Sequence, residues 1–149
     1  MGAYMDLSLT QLQHLEPATL IQARTHALER AHFKFIYASY HPDSTFRRNF
    51  RCCNDYLAHV QSDASVAPQI DECKILFEDI ALNHAQVLYR MQITLADGSE
   101  TGYYEVAQLK YAQGGWRYFC GYKVPLHELS GVSAQHISCD MIIRRGVCF

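Results

Sequence analysis

The sequence predicts an α+β domain in which N-terminal helices cover one face of a curved antiparallel β-meander of four or five strands. Two observations predict it: apolar residues recur at helical spacing in the first 60 residues, and every second residue is apolar after about residue 74. Short turn motifs separate the later apolar runs. Helices followed by strands are typical of the α+β class. The 149 residues fit one domain, 1–149, with a core over 18–124 and a C-terminal extension over 125–149.

The first helices are marked by their stops and caps. Leucines at 7, 9, 12 and 15 indicate a short leading helix within residues 1–16. Pro17 suits the first turn of the next helix, which should run from Ala18 to about Ser39. His41-Pro42 ends it, because the residue before proline avoids helical geometry.

A second helix should begin after a cap at Asp43 or Ser44. One apolar stripe recurs at spacings of three and four, and comprises Phe46, Phe50, Cys53, Leu57 and Val60. Three arginines lie off this stripe, and a solvated face is a simpler reading of them than a phosphate contact: Arg47, Arg48 and Arg51. Residues 62–68 are expected to form a loop.

Four strands follow, each with alternating apolar residues, and they are separated by turns at Asn83, Asp97-Gly98 and Gly114-Gly115. The runs begin near Lys74, Gln86, Tyr103 and Trp116. In the tail, a fifth strand is expected where apolar residues alternate again, at Ile137, Cys139, Met141 and Ile143.

The composition excludes several classes of protein. With 49% hydrophobic and 19% charged residues, the chain is not of the disordered type. The formal net charge is -2, so the chain has no overall excess of basic residues with which to attract nucleic acid or an anionic membrane. No apolar run reaches the roughly 18 residues of a membrane span, and no signal peptide is apparent. We therefore expect a cytoplasmic protein without a nucleic-acid or membrane partner.

The six cysteines predict neither disulfides nor a metal site. No Cys-x-x-Cys occurs, and the local set of His136, Cys139 and Asp140 lacks a fourth ligand for zinc. Reduced thiols fit a chain with no export signal. Gly-rich phosphate loops and the common hydrolase motifs are also missing, so no cofactor is expected.

Residues 18–124 resemble the middle domain of the uncharacterised bacterial YchJ-type family, within the nuclear-transport-factor-two-like superfamily. The matching pieces are Leu20 to Arg24, Ala38-Ser39-Tyr40-His41-Pro42, Tyr104-Glu105, and Gly115 to Gly121. The resemblance implies a cone, in which a curved sheet folds over helices and leaves a central pocket. This superfamily hosts isomerases, hydrolases, dehydratases and plain binding or dimerisation modules, so the fold does not select one function. The flanking zinc motifs of that family are missing from this chain.

Two charged residues are predicted to face the interior of the cone. Arg24 lies in the middle of the apolar side of the first helix, between Leu20 and Leu28. Glu105 shares its strand parity with the apolar residues Ala107 and Leu109. We predict that the two form an ion pair, because either charge alone would be costly to bury. The alternatives are that Arg24 reaches solvent at the helix edge, and that Glu105 is a free general acid or base.

Tyrosines of inward parity should line the pocket, where their rings fill space and their hydroxyls need partners. Core packing explains the same residues without a ligand. His41 is a further candidate base, although a histidine before proline also suits a turn. The candidate pocket residues are Arg24, Tyr40, Tyr89, Tyr103, Glu105, Trp116, Tyr118 and Tyr122.

Three functions remain open. The first is a noncatalytic binding or assembly module for a small, partly apolar ligand, which we favour. The second is a small isomerase, dehydratase or hydrolase with Glu105 as acid or base. The third is a dimeric module that acts on another protein.

A homodimer is expected through the outer face of the sheet, which is more apolar than a solvated face needs to be. The residues of outward parity are Leu76, Ile80, Leu88, Val106 and Phe119, and Ile142 of the tail could add to them. Cover by the tail of the same chain is the alternative.

Overall fold

The computed structural model describes residues 9–62 and 69–149. The helices of the N-terminal part are α1 (Pro17–Glu29), α2 (Phe33–Ser39), α3 (Thr45–Asn49) and α4 (Cys53–Ser62). Of the predicted leading helix, the described part contains only the 3-10 turn Gln11–His14, and Leu7 lies outside the described residues. The predicted loop over 62–68 also falls outside them from residue 63 onwards.

The described residues form one five-stranded antiparallel sheet in the order β1-β2-β3-β4-β5. Its strands are β1 (Gln69–Ile80), β2 (His84–Thr94), β3 (Glu100–Ala112), β4 (Gly115–Pro125) and β5 (Val147–Cys148). Each strand pairs with the next along the chain, so the predicted α+β meander over N-terminal helices is confirmed.

The prediction of one unbroken helix from Ala18 to Ser39 is wrong, because α1 ends at Glu29. The N–H of His32 donates to the carbonyl of Ala27 at 2.8 Å, and the N–H of Ala31 donates to that of Leu28 at 3.3 Å. Ala31 takes a left-handed conformation, with φ 57°. These are the bonds of a Schellman C-cap. Glycine usually occupies such a position, so an alanine there gave no signal in the sequence.

The predicted second helix is also divided, into α3 and α4. Ser44 caps α3 as expected, and its hydroxyl accepts from the N–H of Arg47 at 3.2 Å. The break allows both phenylalanines of the stripe to pack against the ring of Tyr56. The centroids of Phe46 and Phe50 lie 5.0 and 5.4 Å from that of Tyr56. Aromatic packing therefore explains a division that the helical spacing did not reveal.

The tail folds as a helix where a strand was predicted. Two 3-10 turns, Leu126–Leu129 and Ala134–His136, lead to α5 (Cys139–Arg145), whose cap is Ser138. The strand β5 follows α5 and pairs with β4. The helical fold carries Ile142 into complete burial against the sheet.

This tail covers the outer face of the sheet. Leu88 and Val106 are 1% and 0% exposed within an apolar cluster that also contains Leu129, Ile137 and Ile142. The tail thus covers the part of the predicted dimer face that contains Leu88 and Val106, whereas Ile80 remains 46% exposed. The homodimer stays a prediction. No helix in the described ranges is long and apolar enough to cross a membrane.

Candidate functional site

A bulge in β4 decides which side chains enter the cone. Gln108 of β3 pairs with Cys120, whereas its neighbour Leu109 pairs with Tyr118, so Phe119 is the extra residue. Such an insertion reverses the parity of the residues that follow it. Tyr118 therefore faces the helices, but Tyr122 packs on the tail side of the sheet. The inward parity predicted for Tyr122 is wrong.

Lys123 takes the inward position that the bulge removes from Tyr122. It lies opposite Glu105 in the β3–β4 register. Sequence reasoning missed Lys123, because alternation alone assigns it to the outer face. A bulge leaves no reliable mark in a single sequence, so no signal was available to find it.

The cone contains a cavity of about 150 Å³ between α1, α2, α4 and the inner face of the sheet. Its polar residues come from both layers, and the remaining lining is aliphatic or aromatic. The cavity is lined by Ile21, Arg24, Thr25, Leu28, Ile36, Tyr40, Tyr56, Tyr89, Met91, Tyr103, Glu105, Tyr118, Lys123 and Phe149.

Arg24 lies against two aromatic rings that are nearly perpendicular to each other. Its guanidinium carbon lies 4.4 Å from the ring centroid of Tyr40 and 4.2 Å from that of Tyr118. One guanidinium nitrogen donates to the buried hydroxyl of Ser39, which itself donates to the carbonyl of Ile36 at 2.6 Å. Burial by itself would lower the pKa of Arg24, but the hydroxyls of Tyr40 and Tyr118 outweigh it and raise that pKa. Arg24 therefore stays charged inside the cone.

Glu105 is held by two tyrosine hydroxyls. The side chain is 2% exposed, the hydroxyl of Tyr89 donates to one carboxyl oxygen, and that of Tyr118 donates to the other at 2.5 Å. Burial raises the pKa of Glu105, against the opposing influence of Lys123 and of both hydroxyls. Burial and the adjacent carboxyl raise the pKa of Tyr89 and Tyr118 well above the ordinary value.

The predicted ion pair between Arg24 and Glu105 is wrong in its geometry. Tyr118 lies between them, with its ring against the guanidinium and its hydroxyl on the carboxyl group. No direct ion pair joins the two charges in the part of the chain that the structure describes. Both residues do face the cone, as predicted, and the side chain of Tyr118 connects them.

Gly121 is required by this arrangement and was not singled out in the sequence. A Cβ atom there would overlap both the Tyr118 hydroxyl and one carboxyl oxygen of Glu105. The glycine belongs to the last piece of the sequence resemblance, and its role is to let these two groups approach the backbone of β4.

The remaining candidates lie elsewhere or contribute packing. Trp116 is buried in the helix-facing core, and its ring contacts that of Tyr111 edge to face at 5.4 Å. His41 packs against Phe119 with centroids 5.6 Å apart and is not among the residues that line the cavity. Partial burial and the nearby cations lower the pKa of His41. The geometry thus gives His41 a place in the turn after α2.

Comparison with known proteins supports the fold and goes no further. No model of a known protein family matches the chain, and no curated protein matches it. The solution structure of a SEC-C motif-containing protein from Rhodopseudomonas palustris is similar to it, with a TM-score of 0.54 and 20% identity. That similarity covers 70% of this chain and 76% of the other protein.

Proposed function

We propose that this chain is a noncatalytic binding module whose cone cavity holds a small, partly apolar ligand. The observation that carries the proposal is the hydrogen bonding of Glu105, the one acidic residue among those that line the cavity. Both of its oxygens already accept hydrogen bonds from tyrosines.

Catalysis by Glu105 is the second candidate, and one observation favours it. Its carboxyl group borders the cavity and burial raises its pKa, as in many general acids. A general acid or base must reach the proton that it transfers. Each oxygen of Glu105 accepts one hydrogen bond, from Tyr89 or Tyr118, and keeps a second lone pair. These bonds place the carboxyl group in a buried network, and such networks shift a pKa without catalysis, so binding is the better supported function.

The test is a titration of the 15N-labelled protein with a panel of small molecules, followed by NMR. We expect some members to shift the amide resonances of Met91, Tyr103 and Lys123. Leu28→Trp should abolish the shifts because the indole fills the cavity, whereas Leu82→Trp, at a position that is 90% exposed, should leave them unchanged.

Two outcomes would overturn the proposal. One is shifts that persist in Leu28→Trp, because the ligand would then bind outside the cone. The other is steady chemical conversion of a bound molecule that Glu105→Gln abolishes, because the module would then be an enzyme.

A further inference from the structure

We propose that the ligand of the cone is a small monocarboxylate, held by Arg24 and Lys123. This inference rests on the binding function proposed above and adds the chemical class of the ligand. It comes from the balance of charge around the cavity: two cationic side chains line it, together with the one carboxyl group of Glu105.

Arg24 has hydrogen-bond donors left for a ligand. The rings of Tyr40 and Tyr118 lie against its guanidinium group at 81° to each other, one nitrogen donates to Ser39, and the Tyr40 hydroxyl is a further hydrogen-bond partner. A guanidinium carries five N–H groups, more than these partners use. The planar fork of these donors matches the two oxygens of a carboxylate.

Lys123 supplies the second positive charge. Its ammonium nitrogen lies 4.5 Å from the ring centroid of Tyr103 and 4.2 Å from that of Phe149. These ring faces attract the ammonium group by cation–π interaction and keep it beside the cavity. Among the described residues, neither Lys123 nor Arg24 forms an ion pair with an acidic side chain.

Glu105 offsets only part of this positive charge. It lies opposite Lys123, and both cations lower the pKa of its carboxyl group, but one carboxyl group does not neutralise two cations, and the ring of Tyr118 separates it from Arg24. Where Glu105 is ionised, its charge also disfavours a dianion such as phosphate in the same cavity. The cavity of about 150 Å³ is smaller than the roughly 300–1,000 Å³ of pockets for drug-sized ligands, which restricts the ligand to a few heavy atoms.

The experiment compares butyrate with its neutral isostere butyramide and with inorganic phosphate, by NMR titration of the full chain. We expect butyrate to bind the wild type about tenfold or more tightly than either comparison compound, as charge-assisted hydrogen bonds imply. Lys123→Met should weaken butyrate by about tenfold or more, and Lys123→Arg should retain most of the affinity.

Lys110→Met is the matched control. Lys110 also rests on a ring, with its nitrogen 3.6 Å from the centroid of Phe119, but it does not line the cavity. The affinity of this variant for butyrate should stay within about twofold of the wild type, because a cation outside the cavity contributes little. Arg24→Lys, which keeps the charge and loses the fork, should weaken butyrate.

Equal binding of butyrate and butyramide would overturn the carboxylate inference and leave the binding function intact. Tighter binding of phosphate, or equal losses in Lys123→Met and Lys110→Met, would also overturn it. If butyrate does not bind while another member of the panel binds in the cone, the carboxylate inference is wrong and the binding function stands. If nothing binds in the cone, both proposals fail. The comparison of ligands on the wild type needs no variant to fold.

Discussion

The two faces of the sheet are covered in different ways by the same chain. On the helix side, the cover of α1 and α2 leaves a cavity that contains Arg24, Glu105 and Lys123. On the other side, the tail covers an apolar cluster centred on Leu88, Val106 and Ile142, all at most 1% exposed. The helix-side face thus combines buried charged groups with a cavity, whereas the tail-side face is covered by packed apolar side chains.

This difference separates stability from recognition. Burying one large aliphatic side chain contributes about 1.5–3 kcal/mol to folding. A buried charge, in contrast, must recover its desolvation cost through hydrogen bonds or ring contacts, as Arg24 and Glu105 do. The tail face should therefore supply stability, and the cone face should supply the groups that recognise a ligand.

The largest expected effect is on the tail face. Ile142→Ala should lower the free energy of unfolding by about 2–5 kcal/mol, because the cavity that it leaves lies in a fully buried cluster. Urea unfolding measures the loss. Ile143→Ala, at a half-buried position of the same helix, should cost less. A loss of under about 1 kcal/mol for Ile142→Ala would contradict the role given to this face.

The next effect concerns the hydrogen bonds of the cone face. A double-mutant cycle of Tyr118→Phe and Glu105→Gln should give a coupling free energy of about 1–3 kcal/mol, the range for a hydrogen bond to a buried carboxyl group. The cycle of Arg24→Met and Glu105→Gln should give less, because these side chains are not in contact.

The control for this cycle is Tyr111→Phe, which removes a hydroxyl bonded to the Gly114 carbonyl at a half-exposed site. It should change stability by less than about 0.5 kcal/mol. An Arg24–Glu105 coupling larger than that of Tyr118 with Glu105 would restore the direct ion pair.

Glu105 also gives the cone face a pH dependence. Because burial raises its pKa, the folded state binds the proton of Glu105 more tightly than the unfolded state does. Its contribution to stability is therefore complete below the unfolded pKa of about 4.3 and is lost as the pH rises through the folded pKa.

Urea unfolding at a series of pH values checks this dependence. The difference between wild type and Glu105→Gln should fall above about pH 4, by at most about 1.4 kcal/mol per pH unit, and then level off. Histidines are common to both proteins and cancel in the difference. A difference that rises with pH over this range would show that the carboxylate form is favoured by folding.

The smallest expected effect on stability is at the C-terminal end of α1, away from both faces of the sheet. Ala31→Gly should stabilise the protein by about 0.5–1 kcal/mol, because glycine adopts the left-handed conformation at the end of α1 without strain. Thermal unfolding measures the gain. Ala58→Gly, at an exposed position within α4, should lower stability by a similar amount. Equal signs for the two substitutions would contradict the Schellman cap.

The periodicity of apolar residues predicted the helical layer and the sheet well, but it did not predict the helix breaks and the β-bulge. The change of period separated helices from strands, and the inward parity of Glu105 is correct because the register between β2 and β3 is unbroken. The same reasoning gave the wrong face for Tyr122, since the single extra residue Phe119 reverses parity after it. Ala31 and the residues between α3 and α4 ended helices without the usual glycine or proline.

By itself, the sequence determined that helices precede a meander and that Arg24 and Glu105 face one interior, because periodicity fixes the side of an element on which each side chain lies. Tertiary structure decided what those side chains meet there. Tyr118 enters between the two charges, Lys123 replaces Tyr122, and residues 139–145 form a helix. These outcomes depend on contacts between elements far apart in the chain, such as burial of Leu88 and Val106 beneath Ile142, which a local pattern does not contain.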